Sequence, residues 1–381
     1  MSSTISWERL RELAAFRAER GWAISVYLGL DPSIAPTAGD VEPRVRSLLT
    51  DLERQLETRR EELTREAREG AKADLQRIRT WFDDEFERSG TLGVAVFAAG
   101  LDGLFRTLAL REAVRDQTCL DLELMLAPLV PLVGKGHGPL VAVVNRERGD
   151  VYRLHDGAFV QVAELTEEGT GMRRSDQGGW SQARYQRRFD EQAWRHMREV
   201  AEELDRGVRE QPGPVVVVGP EEIRPEFCDA LAPETRDALV GWATAEAHAT
   251  PPQVLEAIAP LLEQAEAAQE AQLIERWREL AGRGERATAG WHDTLDAVSD
   301  GRAEVLLVAD GRDRTVWQCP VCGRAAAEPG SCPLDGIPMD ERAHGLDVAV
   351  HRALIHGGVV QAVRHHDDLG PAEGIGALLR F

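Results

Sequence analysis

The sequence contains no run of about 20 apolar residues, so it offers no helix able to span a bilayer. The longest candidate, Leu124 to Val133, is short and interrupted by Pro128 and Pro131. Met1 to Glu19 is polar and amphipathic and does not resemble a signal peptide; the expectation is a cytoplasmic protein with no membrane partner. Cysteine is scarce: five residues, unevenly placed, do not make a disulfide scaffold, and Cys119 and Cys228 read as inert core residues. Lysine is almost absent, with Lys72 and Lys135 standing alone among arginines. Positive charge as a whole is in deficit. A formal net charge of −20 argues against nucleic-acid binding by bulk electrostatics. No Ser-His-Asp or metalloprotease pattern is present, and Gly134-Lys135-Gly136 lacks both the earlier glycine and the following Ser or Thr of a P-loop.

Against that background one stretch stands out. From Met172 to Arg198 there are seven arginines (173, 174, 184, 187, 188, 195 and 198) and three acids, Asp176, Asp190 and Glu191. The adjacent Gly178 and Gly179 allow a loop to take backbone angles closed to other residues and let another molecule approach the main chain. Ser181 is a candidate N-cap for a helix opening at Gln182. At about 100° per residue, Tyr185, Phe189, Ala193, Met197, Val200 and Leu204 share one face, and Arg184, Arg187, Arg188, Arg195 and Arg198 share the other. An apolar face seats the helix; the arginine face, beside a glycine tip, suits a polyanion. The simpler alternative is a solvated helix face.

The pattern Gly178-Gly179-x-Ser181-x-x-Arg184-x-x-Arg187, followed by an amphipathic helix, resembles the middle domain of archaeal and eukaryotic class I peptide chain release factors. That superfamily also holds ankyrin-and-zinc-finger peptidyl-tRNA hydrolases and ribosome hibernation factors. The resemblance implies a loop that enters the peptidyl transferase centre and helps water cleave the peptidyl-tRNA ester. It implies the ribosomal A site with its 23S rRNA and peptidyl-tRNA as partners, with a translational GTPase as a delivering partner. Trp180 stands where the family has its glutamine, and Gln182 and Gln177 are the available substitutes. On this reading Gly178, Gly179 and Gln182 are the catalytic candidates, and Arg173, Arg174, Trp180, Ser181, Arg184, Arg187 and Arg188 contact RNA. The alternative is a non-catalytic hibernation factor that plugs the A site, with Trp180 stacked on a base.

The rest of the chain reads as α/β layers in three domains, 1–135, 136–262 and 263–381, in the release-factor order. A strand over Trp22–Leu28 precedes long helices at Val41–Gly70 and Lys72–Phe86, then a strand over Gly93–Ala98. In the family, the tip between those helices reads stop codons through an Asn-Ile-Lys-Ser signature; Arg68-Glu69-Gly70-Ala71-Lys72 lacks it, so no stop-codon reading is expected. The middle domain alternates strands with the arginine helix and includes Val215-Val216-Val217-Val218, a run suited to a strand covered on both faces. Gly374 to Phe381 resembles the family's final strand and reads as a buried edge strand.

Cys319-Pro320-Val321-Cys322-Gly323 and, nine residues on, Cys332-Pro333-Leu334-Asp335-Gly336 form two half-sites within a mini-domain at about 317–340. Two thiolates at Cys-x-x-Cys spacing chelate one zinc, and the glycine relieves the turn behind them. Cys319, Cys322 and Cys332 are three candidate ligands of a structural zinc. Asp335 is the favoured fourth, with His344 as the alternative, and a ribbon that keeps its shape without metal is the simpler reading.

Overall fold

The computed structural model describes residues 5–33, 37–88, 91–110, 112–133, 138–145, 148–155, 158–166, 180–245, 249–309, 311–366 and 369–381. The chain divides into two compact units, Met1–Val133 with Glu270–Phe381, and Gly134–Gln269.

Helix α1 (Trp7–Ala14) starts at Ser6, whose hydroxyl accepts from the Arg9 N–H at 3.1 Å and so satisfies one free donor of the first turn. Next come β1 (Ala23–Gly29), α2 (Val41–Thr58), α3 (Arg65–Thr80), β2 (Gly93–Ala99), β3 (Leu104–Leu110) and β4 (Gln117–Asp121). The four strands form one antiparallel sheet in the order β3-β2-β1-β4. The helix pair departs from the sequence expectation. The turn falls at residues 59–64, because Leu63 is buried and Thr64 caps α3 through the Ala67 N–H at 3.1 Å. The true tip, Arg59-Arg60-Glu61-Glu62-Leu63-Thr64, also lacks Asn-Ile-Lys-Ser. After Thr80 the helix widens into a π turn, Trp81–Glu85, where Trp81, Phe82 and Phe86 cluster.

Alternation in the strands divides the core. Ile24, Val26 and Leu28 of β1, with Val94 and Val96 of β2, face Leu49, Leu52, Leu75 and Ile78 of α2 and α3. Ala23 and Tyr27, with Ala95 and Phe97, face the opposite way, into a core shared with α1, residues 124–133 and the C-terminal segment.

The second unit contains β5 (Leu140–Val144), β6 (Arg148–His155), β7 (Ala158–Thr166), α4 (Trp180–Glu210), β8 (Val215–Val218), α5 (Arg224–Ala230), α6 (Pro233–Asp237) and β9 (Leu239–Ala243). Its sheet runs β7-β6-β5-β8-β9, antiparallel through β7, β6 and β5 and parallel through β5, β8 and β9. The valine run of β8 is covered on both faces, as its composition requires. Val215 and Val217 pack with Met197, Val200 and Leu204 of α4. Val216 and Val218 pack with Val254 and Ile258 of α7 (Pro251–Gly282). Burying each such side chain contributes about 1.5–3 kcal/mol.

The C-terminal segment adds β10 (Ala287–Ala289), α8 (Trp291–Ser299), β11 (Ala303–Ala309), β12 (Val316–Gln318), β13 (Ala325–Ala326), β14 (Asp340–Arg342), α9 (Gly345–Ile355), β15 (Val359–Val363) and β16 (Ile375–Leu379). A mixed sheet runs β10-β16-β11-β15, and β13-β12-β14 form a small separate sheet. The final strand β16 is therefore interior and not an edge, paired on one side with β11 and on the other with β10, and buried throughout. Short β10, which sequence reading passed over, supplies the missing neighbour. Leu295, Val298, Ala349 and Val350 of α8 and α9 complete the core that begins with Tyr27 and Phe97. Polar ties seal it: Tyr27 Oη donates to the Met125 carbonyl at 2.5 Å, and Asp347 Oδ1 accepts from Leu126 N and Ala127 N at 2.6 and 2.9 Å. Cys119 lies in this core, and burial raises its thiol pKa strongly. Cys228, expected in a core, is only half-buried on the short helix α5.

Candidate functional site

Strand β12 ends at Gln318, and from Cys319 the chain turns back at once. Gly323 N–H donates to the Cys319 carbonyl at 3.0 Å, and Cys319 N–H donates to the Arg324 carbonyl at 2.8 Å. The second half repeats this: Gly336 N–H donates to the Cys332 carbonyl at 2.8 Å, and Cys332 N–H donates to the Ile337 carbonyl at 2.8 Å. The φ angles of Gly323 and Gly336 are +72° and +71°, in the left-handed region where a Cβ is costly.

These turns bring four donors together. The Sγ atoms of Cys319, Cys322 and Cys332 and a carboxylate oxygen of Asp335 all lie within 4.8 Å of one another. Cys319 Sγ is 3.3 Å and Cys332 Sγ 3.5 Å from Asp335 Oδ2, and Cys322 Sγ is 3.5 Å from Cys332 Sγ. His344 does not join them: its Nδ1 is 3.3 Å from Asp313 Oδ2. Asp335 drives the Cys322 thiol up to about 12, with burial second, while hydrogen bonds from Cys322 and Cys319 hold Asp335 below the ordinary carboxylate value. Four anionic donors at this spacing repel one another unless protons or a cation stand among them, and three soft thiolates with one oxygen suit zinc. The cluster can bind a metal.

Gly178, Gly179, Arg173 and Arg174 lie outside the described residues. Trp180, Ser181, Gln182, Arg184, Arg187 and Arg188 lie on the backbone of α4, and their side chains lie outside what is described. Helix α4 runs from Trp180, so Ser181, expected to cap it, lies within the helix. Farther along, the two-faced design is visible. Met197, Val200 and Leu204 are buried, whereas Arg195 and Arg198 are exposed, with Arg198 lying 5.7 Å from the Trp194 ring.

Sequence reading missed a groove of about 590 Å³ between α2 and α3, lined by Arg60, Arg65, Arg68, Lys72 and Arg79 against Glu53, Glu57 and Glu69. Arg60 lies in the turn and Arg65, Arg68 and Arg79 lie on α3, whose start the sequence expectation placed too late, so their convergence had no linear signature. Among the described residues, no helix is long and apolar enough to cross a membrane.

Residues 125–270, which carry the mixed sheet, the arginine helix and the glycine pair, match the family model of bacterial archaeo-eukaryotic release factor family 10. This middle segment of the chain is similar to that release factor family. No curated protein matches it. Among solved structures it is similar to the archaeal translation termination factor aRF1, at 16% identity over 99% of each chain with a TM-score of 0.27. It is also similar to archaeal Pelota in a model of ribosome-bound Pelota and ABCE1, at 14% identity over 76% of this chain and 77% of that one, TM-score 0.42. A third is S. cerevisiae Dom34, a translation termination-like factor involved in RNA quality control and interacting with Hbs1, at 10% identity over 76% and 79%, TM-score 0.37. The chain combines a mixed α/β architecture with a cysteine–aspartate module.

Proposed function

We propose that this protein is a ribosome-associated, release-factor-like peptidyl-tRNA hydrolase acting in rescue or quality control, without stop-codon specificity. The observation that carries the reading is the family match over 125–270, which includes the sequence Gly178-Gly179-x-Ser181-x-x-Arg184-x-x-Arg187. The proposed partners are the ribosomal A site with its 23S rRNA, peptidyl-tRNA, and a translational GTPase.

Ester cleavage needs a positioned water and stabilisation of a developing oxyanion. In this reading the glycine pair brings main-chain N–H groups close to the ester, and Gln182 supplies the side-chain contact. A glutamine amide is a poor general base, so rate comes from positioning and from the RNA around it. Arg173, Arg174, Arg184, Arg187 and Arg188 neutralise phosphates and seat the helix. Zinc on Cys319, Cys322, Cys332 and Asp335 would cross-link the two turns of the module; its contribution is structural.

Trp180, in place of the family's glutamine, favours a second reading: a hibernation factor whose loop occupies the A site without chemistry, the indole stacking on a base. The test is purified protein added to ribosomes stalled with labelled peptidyl-tRNA. Release of the peptide supports the hydrolase; co-sedimentation with intact peptidyl-tRNA selects the hibernation factor, and no ribosome binding overturns both.

A further inference from the structure

In the unit formed by Met1–Val133 and Glu270–Phe381, a cavity of about 280 Å³ opens between the segment before β4 and the loops around α9. Its apolar part is built from Met125, Pro128 and Leu132, among others, and its polar lining includes Arg115, Arg312 and Arg364. We propose that this cavity binds a small organic phosphate of nucleoside monophosphate size, its phosphate on the three guanidinium groups and its less polar end against the proline-rich wall.

Electrostatics favour an anion. Among the described residues the two carboxylates that line the cavity, Asp313 and Asp347, are already engaged. Asp347 Oδ1 accepts from Leu126 N and Ala127 N, and Asp313 Oδ1 accepts from Arg314 N and Leu346 N at 2.9 and 2.8 Å. Asp313 Oδ2 faces His344 Nδ1 at 3.3 Å, and that hydrogen bond raises the His344 pKa above its ordinary value. Among the described residues no carboxylate pairs with Arg312, and Arg364 meets Glu112 only at 3.5 Å on the exposed side.

The main chain around Arg312 and Arg364 is closely held. The stem of Arg312 lies against Gly374, where an added Cβ would come within 2.5 Å of the Arg312 Cβ. Buried Glu270 accepts the backbone N–H groups of Arg364, His365 and His366 at 2.8–3.0 Å and fixes the turn that presents Arg364. Arg115 reaches across, its Nη1 within 3.9 Å of where a Cβ on Gly311 would stand. The planar fork of a guanidinium group matches phosphate geometry. The volume lies just below the ~300–1,000 Å³ typical of small-molecule sites, which suits one small nucleotide and excludes larger cofactors.

The site is independent of the ribosomal reading and is tested without ribosomes. Calorimetric titration of the full chain with AMP, inorganic phosphate and adenosine should show AMP binding at least about tenfold tighter than either half, weakening with salt. Arg312→Gln and Arg364→Gln should each weaken AMP about tenfold, the range of a lost charge-assisted hydrogen bond, with unchanged melting temperature in the absence of ligand. Saturating AMP should raise the melting temperature of wild type and less so that of the variants. No AMP binding at millimolar concentration, phosphate binding as tightly as AMP, or AMP affinity unmoved by both substitutions would each overturn the proposal.

Discussion

Asp335 stands in the second cysteine turn where Cys322 stands in the first. Each is the third residue after a cysteine and the last before a left-handed glycine, and each of those glycines donates its N–H to the carbonyl of the cysteine four residues earlier. The module is one turn used twice, with a carboxylate substituted for the fourth thiolate. That equivalence gives Asp335 its place among the donors and leaves His344 on Asp313.

Protein purified without chelator should therefore carry close to one zinc per chain by metal analysis. Cys322→Ser should lose the metal, and Asp335→Cys should keep it and resist chelator longer, because a thiolate is the better zinc ligand at this position. Stripping the metal should lower the melting temperature of the unit that contains the module. A wild type that is metal-free and equally stable would end this prediction.

The final strand is intolerant of added bulk at its centre. A Cβ on Gly376 would lie 2.7 Å from Trp277 Nε1 and 3.0 Å from the Thr288 carbonyl, the two atoms that bond each other at 2.8 Å. Gly376→Ala should cost about 1–3 kcal/mol by overpacking. Urea unfolding should show this as a lower midpoint at unchanged slope. A variant as stable as wild type would mean that Trp277 can move aside freely.

Thr118 Oγ1 donates to Asp51 Oδ2 at 2.6 Å, and this bond, helped by the Gln55 contact and opposed by burial, lowers the Asp51 pKa from 3.8. A depressed carboxyl contributes stability that is present above its unfolded value and is lost as pH falls through the folded one. Thr118→Val should cost about 1 kcal/mol at neutral pH, and the gap from wild type should shrink on acidification below 3.8. An equal gap at both pH values would show that Asp51 does not titrate through this bond.

Most of this architecture could be read before folding, for physical reasons that vary by element. Val215 to Val218 announced a strand buried on both faces because no polar residue interrupts it. The spacing of Cys319, Cys322 and Cys332 was equally legible, since chelation depends on short-range turns. By contrast, β9 and β10 were missed: Leu239–Ala243 and Ala287–Ala289 are short and only partly buried, and their neighbours in the sheet come from distant sequence. The α2–α3 turn was displaced because the charged run after Thr58 is as compatible with helix as with a turn, and only the burial of Leu63 and the Thr64 cap decide it. The cavity lined by Arg115, Arg312 and Arg364 joins residues nearly 250 positions apart, as measured by the separation of 252 in the Glu112–Arg364 pair, and no local pattern could announce it.

Arg184, Arg187 and Arg188 should carry phosphate contacts despite the acidic chain. Each neutralised phosphate steepens the salt dependence of binding by roughly 0.7–0.9 in logarithmic slope, so replacing all three with glutamine should flatten it by about 2–3. The folded content measured by circular dichroism should not change. Ribosome co-sedimentation across a salt series checks this, and an unchanged slope would identify the face as solvated surface.

The loop decides between chemistry and occupancy. If the protein is a hydrolase, Gln182 contributes to the transition state more than to the bound ground state. Gln182→Ala should then slow peptide release by one to two orders of magnitude, about what one lost positioning hydrogen bond costs, while ribosome affinity holds. Gly178→Ala and Gly179→Ala should slow it at least as much, because a Cβ restricts both the backbone angles and the approach of the ester. If the protein is a plug, Trp180→Ala should weaken occupancy by about 1–3 kcal/mol, the contribution of one base–aromatic stack, and wild type should release no peptide. Single-turnover cleavage and co-sedimentation, measured side by side on the same four variants, separate the two. Wild type that binds ribosomes and leaves every peptidyl-tRNA intact would remove the hydrolase and leave the tryptophan as the functional group of the tip.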